Sequence, residues 1–113
     1  MTKYMYLFRG GDAARVATSP EEMQVHMAKW KTWMGELSEK NQLVDGLPLS
    51  GEGKQLVGND AVVHDGPYAE GKEIVGGYLI VNAESLTGAV EIAKGCPIFE
   101  HDGNVEVREI MNM

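Results

Sequence analysis

The sequence predicts an α+β fold: an antiparallel sheet with two helices packed on one face. Two observations lead there. Short apolar, β-rich runs stand at both ends and in the middle of the chain, and between them lie two segments that open on a serine cap, in the order β-α-β(β)-β-α-β. A length of 113 residues fits one domain spanning 1–113, and 43% apolar with 24% charged residues is ordinary globular usage.

Lys3 to Arg9, K-Y-M-Y-L-F-R, is too short for a helix before the turn signal Gly10-Gly11-Asp12 and is read as the first strand. At Ser19-Pro20-Glu21-Glu22 a serine cap, a proline in the first turn and a glutamate three residues on form a capping box that starts a helix. Met23, Met27, Trp30, Met34 and Leu37 then recur at helical spacing and are expected to be its buried stripe, which fades at Lys40-Asn41. From Leu43 to Asn59, Gly46, Pro48, Gly51, Gly53 and Gly58 break the chain into short strand pieces and turns. Ala61 to His64 is a further short strand. Ile74 to Val81, I-V-G-G-Y-L-I-V, is a central strand in which Gly76-Gly77 permits a bulge or a close approach. Ser85 caps a second helix running to about Lys94, stopped by Gly95 and Pro97, and Val105 to Ile110 alternates as the last strand.

The simplest packing of this order is ferredoxin-like. Tyr4, Tyr6 and Phe8 point one way and Met5 and Leu7 the other, and Ile74 to Val81 is apolar on both sides. Two helices cover one face only, so the other is expected to be buried against a second copy in a two-fold homodimer.

A net charge of -7 and a pI near 4.8 disfavour nucleic acid and anionic membrane surfaces as partners. The lone Cys96, the lack of a leader pattern and the lack of a run of roughly 20 apolar residues lead to the expectation of a soluble cytoplasmic protein.

One stretch resembles a nucleotide site. Gly66 to Lys72 reads G-x-x-x-x-G-K, but Glu73 stands where a P-loop has Ser or Thr, and a strand rather than a helix follows. A carboxylate there would repel phosphate. The alternative is a turn in which Asp65 bonds nearby backbone, Gly66 takes positive φ and Pro67 presets φ.

Asp65-Gly66-Pro67-Tyr68-Ala69-Glu70-Gly71-Lys72-Glu73 also resembles the D-G-P-F-A-E-x-K-E signature of the DGPF group of YCII-related proteins. The first strand, the capped helix, the G-G-Y-L-I-V strand and the closing V-E-V-R-E-I fall where that family has them, and Tyr68 and Gly71 depart from its usual Phe and Thr. The resemblance implies a dimeric α+β barrel of ferredoxin-like protomers. It also implies acid-base chemistry by a His-Asp pair in a pocket, while some members of the group are linked to transcription initiation.

Histidine is the usual group for proton transfer near neutrality, often oriented by a carboxylate. His26 lies roughly 60° from the centre of the first helix's apolar stripe, by 100° per residue, at a pocket edge on the flank of Trp33. Its expected catalytic partner is Asp65, reaching it across the fold, with His64, Glu70, Lys72, Arg9 and Trp33 as substrate contacts. His64 and Asp65, adjacent in a strand, point to opposite faces and form no dyad with each other. His101 in F-E-H-D-G is read as a solvated loop residue and Cys96 as a small buried group. No two histidines have metal-ligand spacing, so neither a metal nor another cofactor is expected. Two functions stay open: a small enzyme using acid-base chemistry on a small organic substrate, and a non-catalytic module that binds a small ligand or a protein, in the latter case one tied to transcription.

Overall fold

Eight regular elements and one 3-10 turn follow in order: β1 (Thr2–Arg9), α1 (Pro20–Glu39), β2 (Leu43–Pro48), β3 (Lys54–Val57), β4 (Val62–Asp65), β5 (Val75–Ala83), α2 (Leu86–Ala93), the 3-10 turn Pro97–His101, and β6 (Asn104–Glu109). The computed structural model describes residues 1–10, 19–50, 52–66 and 74–112. Both helices begin where the sequence places caps. Ser19 Oγ accepts from Glu22 N at 3.1 Å, and Ser85 Oγ accepts from Gly88 N at 3.1 Å.

The main sheet is antiparallel with strand order β2-β5-β1-β6. Tyr4 pairs with Val81 and Tyr6 with Leu79, while Val107 lies on the other side of Tyr6, so period-two alternation gathers these side chains on one face. Trp33 and Leu37 of α1 and Ala89 and Ala93 of α2 close over that face, which places both helices on it as expected. The contact is aromatic. Trp33 stacks on Tyr6 with centroids 6.4 Å apart, and Phe8 meets Trp30 edge-on at 5.2 Å. The Tyr6 hydroxyl donates to the Ala89 carbonyl at 2.5 Å and so ties α2 to the sheet, and burial pushes the phenol above its ordinary range.

The buried stripe of α1 differs from the expected one. His26, Trp33 and Leu37 are buried and Trp30 half-buried, whereas Met27 is 54% exposed. The helix is rolled toward Trp33 because two indoles match the ring surface of Tyr6 and Phe8 better than flexible thioethers do. His26 therefore sits inside the stripe rather than at its edge.

The glycine pair in β5 acts in both expected ways. Phe8 pairs with Gly77 and Arg9 with Val75, so Gly76 is the extra residue of a bulge. Gly77 lies so close to β2 that a Cβ would stand 3.2 Å from the Leu47 carbonyl oxygen. On the face away from the helices, Met5, Leu7, Tyr78 and Ile80 are half-buried. β3 and β4 form a separate two-stranded hairpin, turned through Gly58 (φ 82°) and Ala61 (φ 52°), with Leu56, Val57, Val62 and Val63 exposed. No described helix is long and apolar enough to cross a membrane.

Candidate functional site

His26 is 4% exposed and is the one buried polar or charged side chain among the described residues. One turn further along α1, Trp30 Nε1–H donates to His26 Nε2 at 2.9 Å. An acceptor nitrogen carries no proton, so this bond puts the imidazole hydrogen of the neutral ring on Nδ1. Nδ1 faces Glu100 Oε2 at 3.5 Å, too long for a well-formed hydrogen bond and close enough to favour a proton on the ring. The ring of His101 meets that of His26 edge-to-face at 4.1 Å. Both Nδ1 atoms, of His26 and of His101, are buried without a hydrogen-bond partner.

The second half of this cluster comes from the 3-10 turn. Pro97 presets φ in its first turn, Ile98 is buried in the core, and Asp102 (φ 60°) ends the turn while Gly103 N donates to the Ile98 carbonyl. That geometry delivers the consecutive residues Glu100 and His101 to the α1 surface. Lys29 Nζ holds Glu100 Oε1 at 2.8 Å. This hydrogen bond, opposed by slight desolvation and aided by His26, keeps the Glu100 carboxyl below its ordinary range. His26 is held below its ordinary value by burial first and by His101 second, with Glu100 pulling the other way. Beside the cluster, α1 and the turn enclose an open groove of about 560 Å³, with Val25, Trp33 and Pro97 as apolar walls and Lys29, Thr32 and Glu100 as polar ones.

The structure redistributes the residues singled out from sequence. Asp65 does not meet His26 within the chain. Its side chain is 93% exposed at the open end of the hairpin, where Lys54 Nζ holds it at 2.7 Å, because β3 and β4 pair with each other rather than with the main sheet. His64 is exposed in the same strand opposite Gln55. Arg9 pairs with Glu106 of the neighbouring strand at 2.6 Å. Trp33 is a core residue whose edge reaches the groove. Glu70, Lys72 and Glu73 lie outside the described residues. Cys96 is buried as expected, and burial pushes its thiol up to about 12, so it is protonated and unreactive near neutrality. His101 is not a solvated loop residue, since it packs on His26.

Glu100, Trp30 and the second histidine are thus the members that sequence reasoning passed over. Trp30 was visible four residues beyond His26 on the helix. Glu100 and His101 are more than seventy positions from His26 and carry no local pattern that links them to it.

The sheet order and the paired helices define a ferredoxin-like α+β protein, and the buried histidine on the first helix marks a candidate site beside α1. Residues 2–113 match the YCII-related domain, and the chain belongs to that family. Among solved structures it is similar to 5-chloro-2-hydroxyhydroquinone dehydrochlorinase (TftG) from Burkholderia phenoliruptrix AC1100 in complex with 2,5-dihydroxybenzoquinone. The TM-score is 0.59 at 16% identity, over 100% of this chain and 96% of that one, a likeness of fold. No curated protein sequence matches the chain.

Proposed function

We propose that this protein is a small-molecule enzyme in which His26 moves a proton, with Glu100 in the carboxylate role first expected of Asp65. One observation carries the reading: the Trp30 bond leaves His26 Nε2 unprotonated and puts Nδ1–H on the side of the Glu100 carboxylate, 3.5 Å away, the polarity of a general base whose orienting contact tightens on substrate binding. The donor now on Nε2 is the Trp30 indole. A phenolic or enolic hydroxyl is also a donor and takes the same place once the indole turns aside. The carboxylate then stabilises the imidazolium that forms. A hydroxylated aromatic substrate suits the apolar walls of the neighbouring groove, which Glu100 lines and His26 does not, so the substrate reaches His26 from the groove only past Glu100; the similar fold of a dehydrochlorinase bound to a dihydroxybenzoquinone supports that class.

The test is elimination of hydrogen chloride from chlorinated hydroxyhydroquinones by chelator-treated protein without oxygen, followed as chloride release and quinone absorbance, with the unhalogenated compound, which has no leaving group, as the blank. His26→Gln is expected to lower the rate by roughly 100-fold or more and Glu100→Gln by less, in the range of general acid-base catalysis, with Asp65→Asn unchanged. Undiminished turnover in His26→Gln, or an equal loss in Asp65→Asn, overturns the assignment. No turnover of any such compound favours the binding-module reading.

The working unit in this reading is a homodimer. Support comes from the half-buried Met5, Leu7, Tyr78 and Ile80 on the uncovered sheet face and from the exposed apolar side chains of the hairpin. Sedimentation equilibrium tests it, and a monomer at micromolar concentration speaks against it. A reducing compartment such as the cytoplasm accords with the single buried thiol.

A further inference from the structure

We infer that His26, Glu100 and His101 together form a binding site for a divalent transition cation of the zinc class. This inference goes beyond the proton-transfer reading and does not depend on it. One ligand atom from each of the three residues can be chosen so that all lie within 4.8 Å of one another. Around a tetrahedral zinc, with Zn–N of roughly 2.0 Å, neighbouring ligand atoms stand roughly 3.3 Å apart. The His26 Nδ1 to Glu100 Oε2 separation of 3.5 Å already has nearly that value. The remaining closure falls to Glu100 and His101, whose side chains are less buried than His26.

Charge and hydrogen bonding point the same way. Two imidazole nitrogens are buried with no hydrogen-bond partner, a costly arrangement that a shared cation would relieve. Two imidazoles and one carboxylate make a donor set suited to zinc, iron or nickel rather than to magnesium or calcium, which take oxygen ligands. Lys29 occupies Oε1 of Glu100 and leaves Oε2 for the metal, so the ammonium orients the ligand from behind.

The Trp30 hydrogen bond gives the proposal a consequence that a nonspecific surface site would lack. A cation on His26 Nδ1 leaves the ring proton on Nε2, where it confronts the Trp30 N–H, and the bond between them is lost. Metal occupancy and service as a base therefore exclude each other at His26. Removing the indole N–H should strengthen metal binding.

The experiment is calorimetric titration of the full chain, freed of metal by chelation, with zinc chloride, alongside the nitrogen-proton spectrum of the tryptophan indoles. The expected result is one zinc per chain, with the Trp30 indole resonance moving at one equivalent. Glu100→Gln and His101→Gln, both near the surface, should each weaken binding by roughly tenfold or more. Trp30→Phe should tighten it by roughly fivefold, the worth of one net hydrogen bond. Absence of binding up to about 100 µM zinc, far weaker than a structured site gives, overturns the proposal. So does binding that survives both substitutions unchanged, which would locate the zinc elsewhere. Because turnover is measured under chelation and zinc binding without substrate, either reading can fail while the other stands.

Discussion

The two regions that sequence reasoning joined into one site, the corner around His26 and the β3–β4 hairpin around Asp65, have opposite physical characters. At the corner, an imidazole 4% exposed accepts from the Trp30 indole and faces a carboxylate that is itself 44% exposed. On the hairpin, Asp65 and Lys54 form a comparably close ion pair at 2.7 Å, yet both are mostly in water. A carboxylate thus meets a buried imidazole in one place and only another solvated charge in the other. Desolvation makes the difference, since it sets how strongly charges act and how much an unmatched polar atom costs.

Substitutions can break that comparison, and the largest effect is expected in the core that supports the corner. Trp33→Ala removes the ring stacked on Tyr6 and should cost about 3–5 kcal/mol in denaturant unfolding. A cost below about 1 kcal/mol would mean that the indole is not packed as described. Gly46→Ala comes next. A Cβ there would lie 2.1 Å from Leu79 Cδ2 and 2.7 Å from the Tyr78 carbonyl oxygen, so β2 must shift against β5, at about 1–3 kcal/mol. Trp30→Phe keeps the ring against Phe8 and deletes the bond to His26, for a loss of about 1 kcal/mol in chelated protein.

A pH series sharpens the contrast further. His26 is depressed in the folded state, so between its folded pKa and the ordinary value of about 6.5 the unfolded chain binds more protons. Stability should therefore be full above about 6.5 and decline as pH falls through that window. His26→Gln should flatten this part of the profile, read as the unfolding midpoint in urea at several pH values under chelation. An unchanged slope would show that His26 does not carry it. The smallest effect is expected on the hairpin, where Asp65→Asn should change stability by less than about 1 kcal/mol. A larger loss would place Asp65 in a structural role that its exposure does not suggest.

The legible parts of the fold were those written in short-range patterns. Ser19 and Ser85 mark helix starts because a hydroxyl can satisfy an amide three residues away, and the Gly76 bulge follows from a glycine pair in an otherwise continuous strand. The stripe of α1 was harder to read. Methionines and tryptophans are both apolar, and only the ring surface of β1 decides which of them turn inward.

The site divides along the same line. That His26 lies against the apolar side of α1 was accessible from sequence, as was the burial of Cys96. The carboxylate beside His26 was not. That Glu100 and not Asp65 faces His26 within the chain depends on where a 3-10 turn after α2 lands against α1, and on a hairpin pairing with itself instead of reaching back. By itself the sequence determined the elements, their caps and the layer architecture, because those depend on interactions among residues a few positions apart. The tertiary structure alone decided which charges meet and which are buried, because contact between residues 26, 100 and 101 is a property of packing and desolvation that no local spacing encodes.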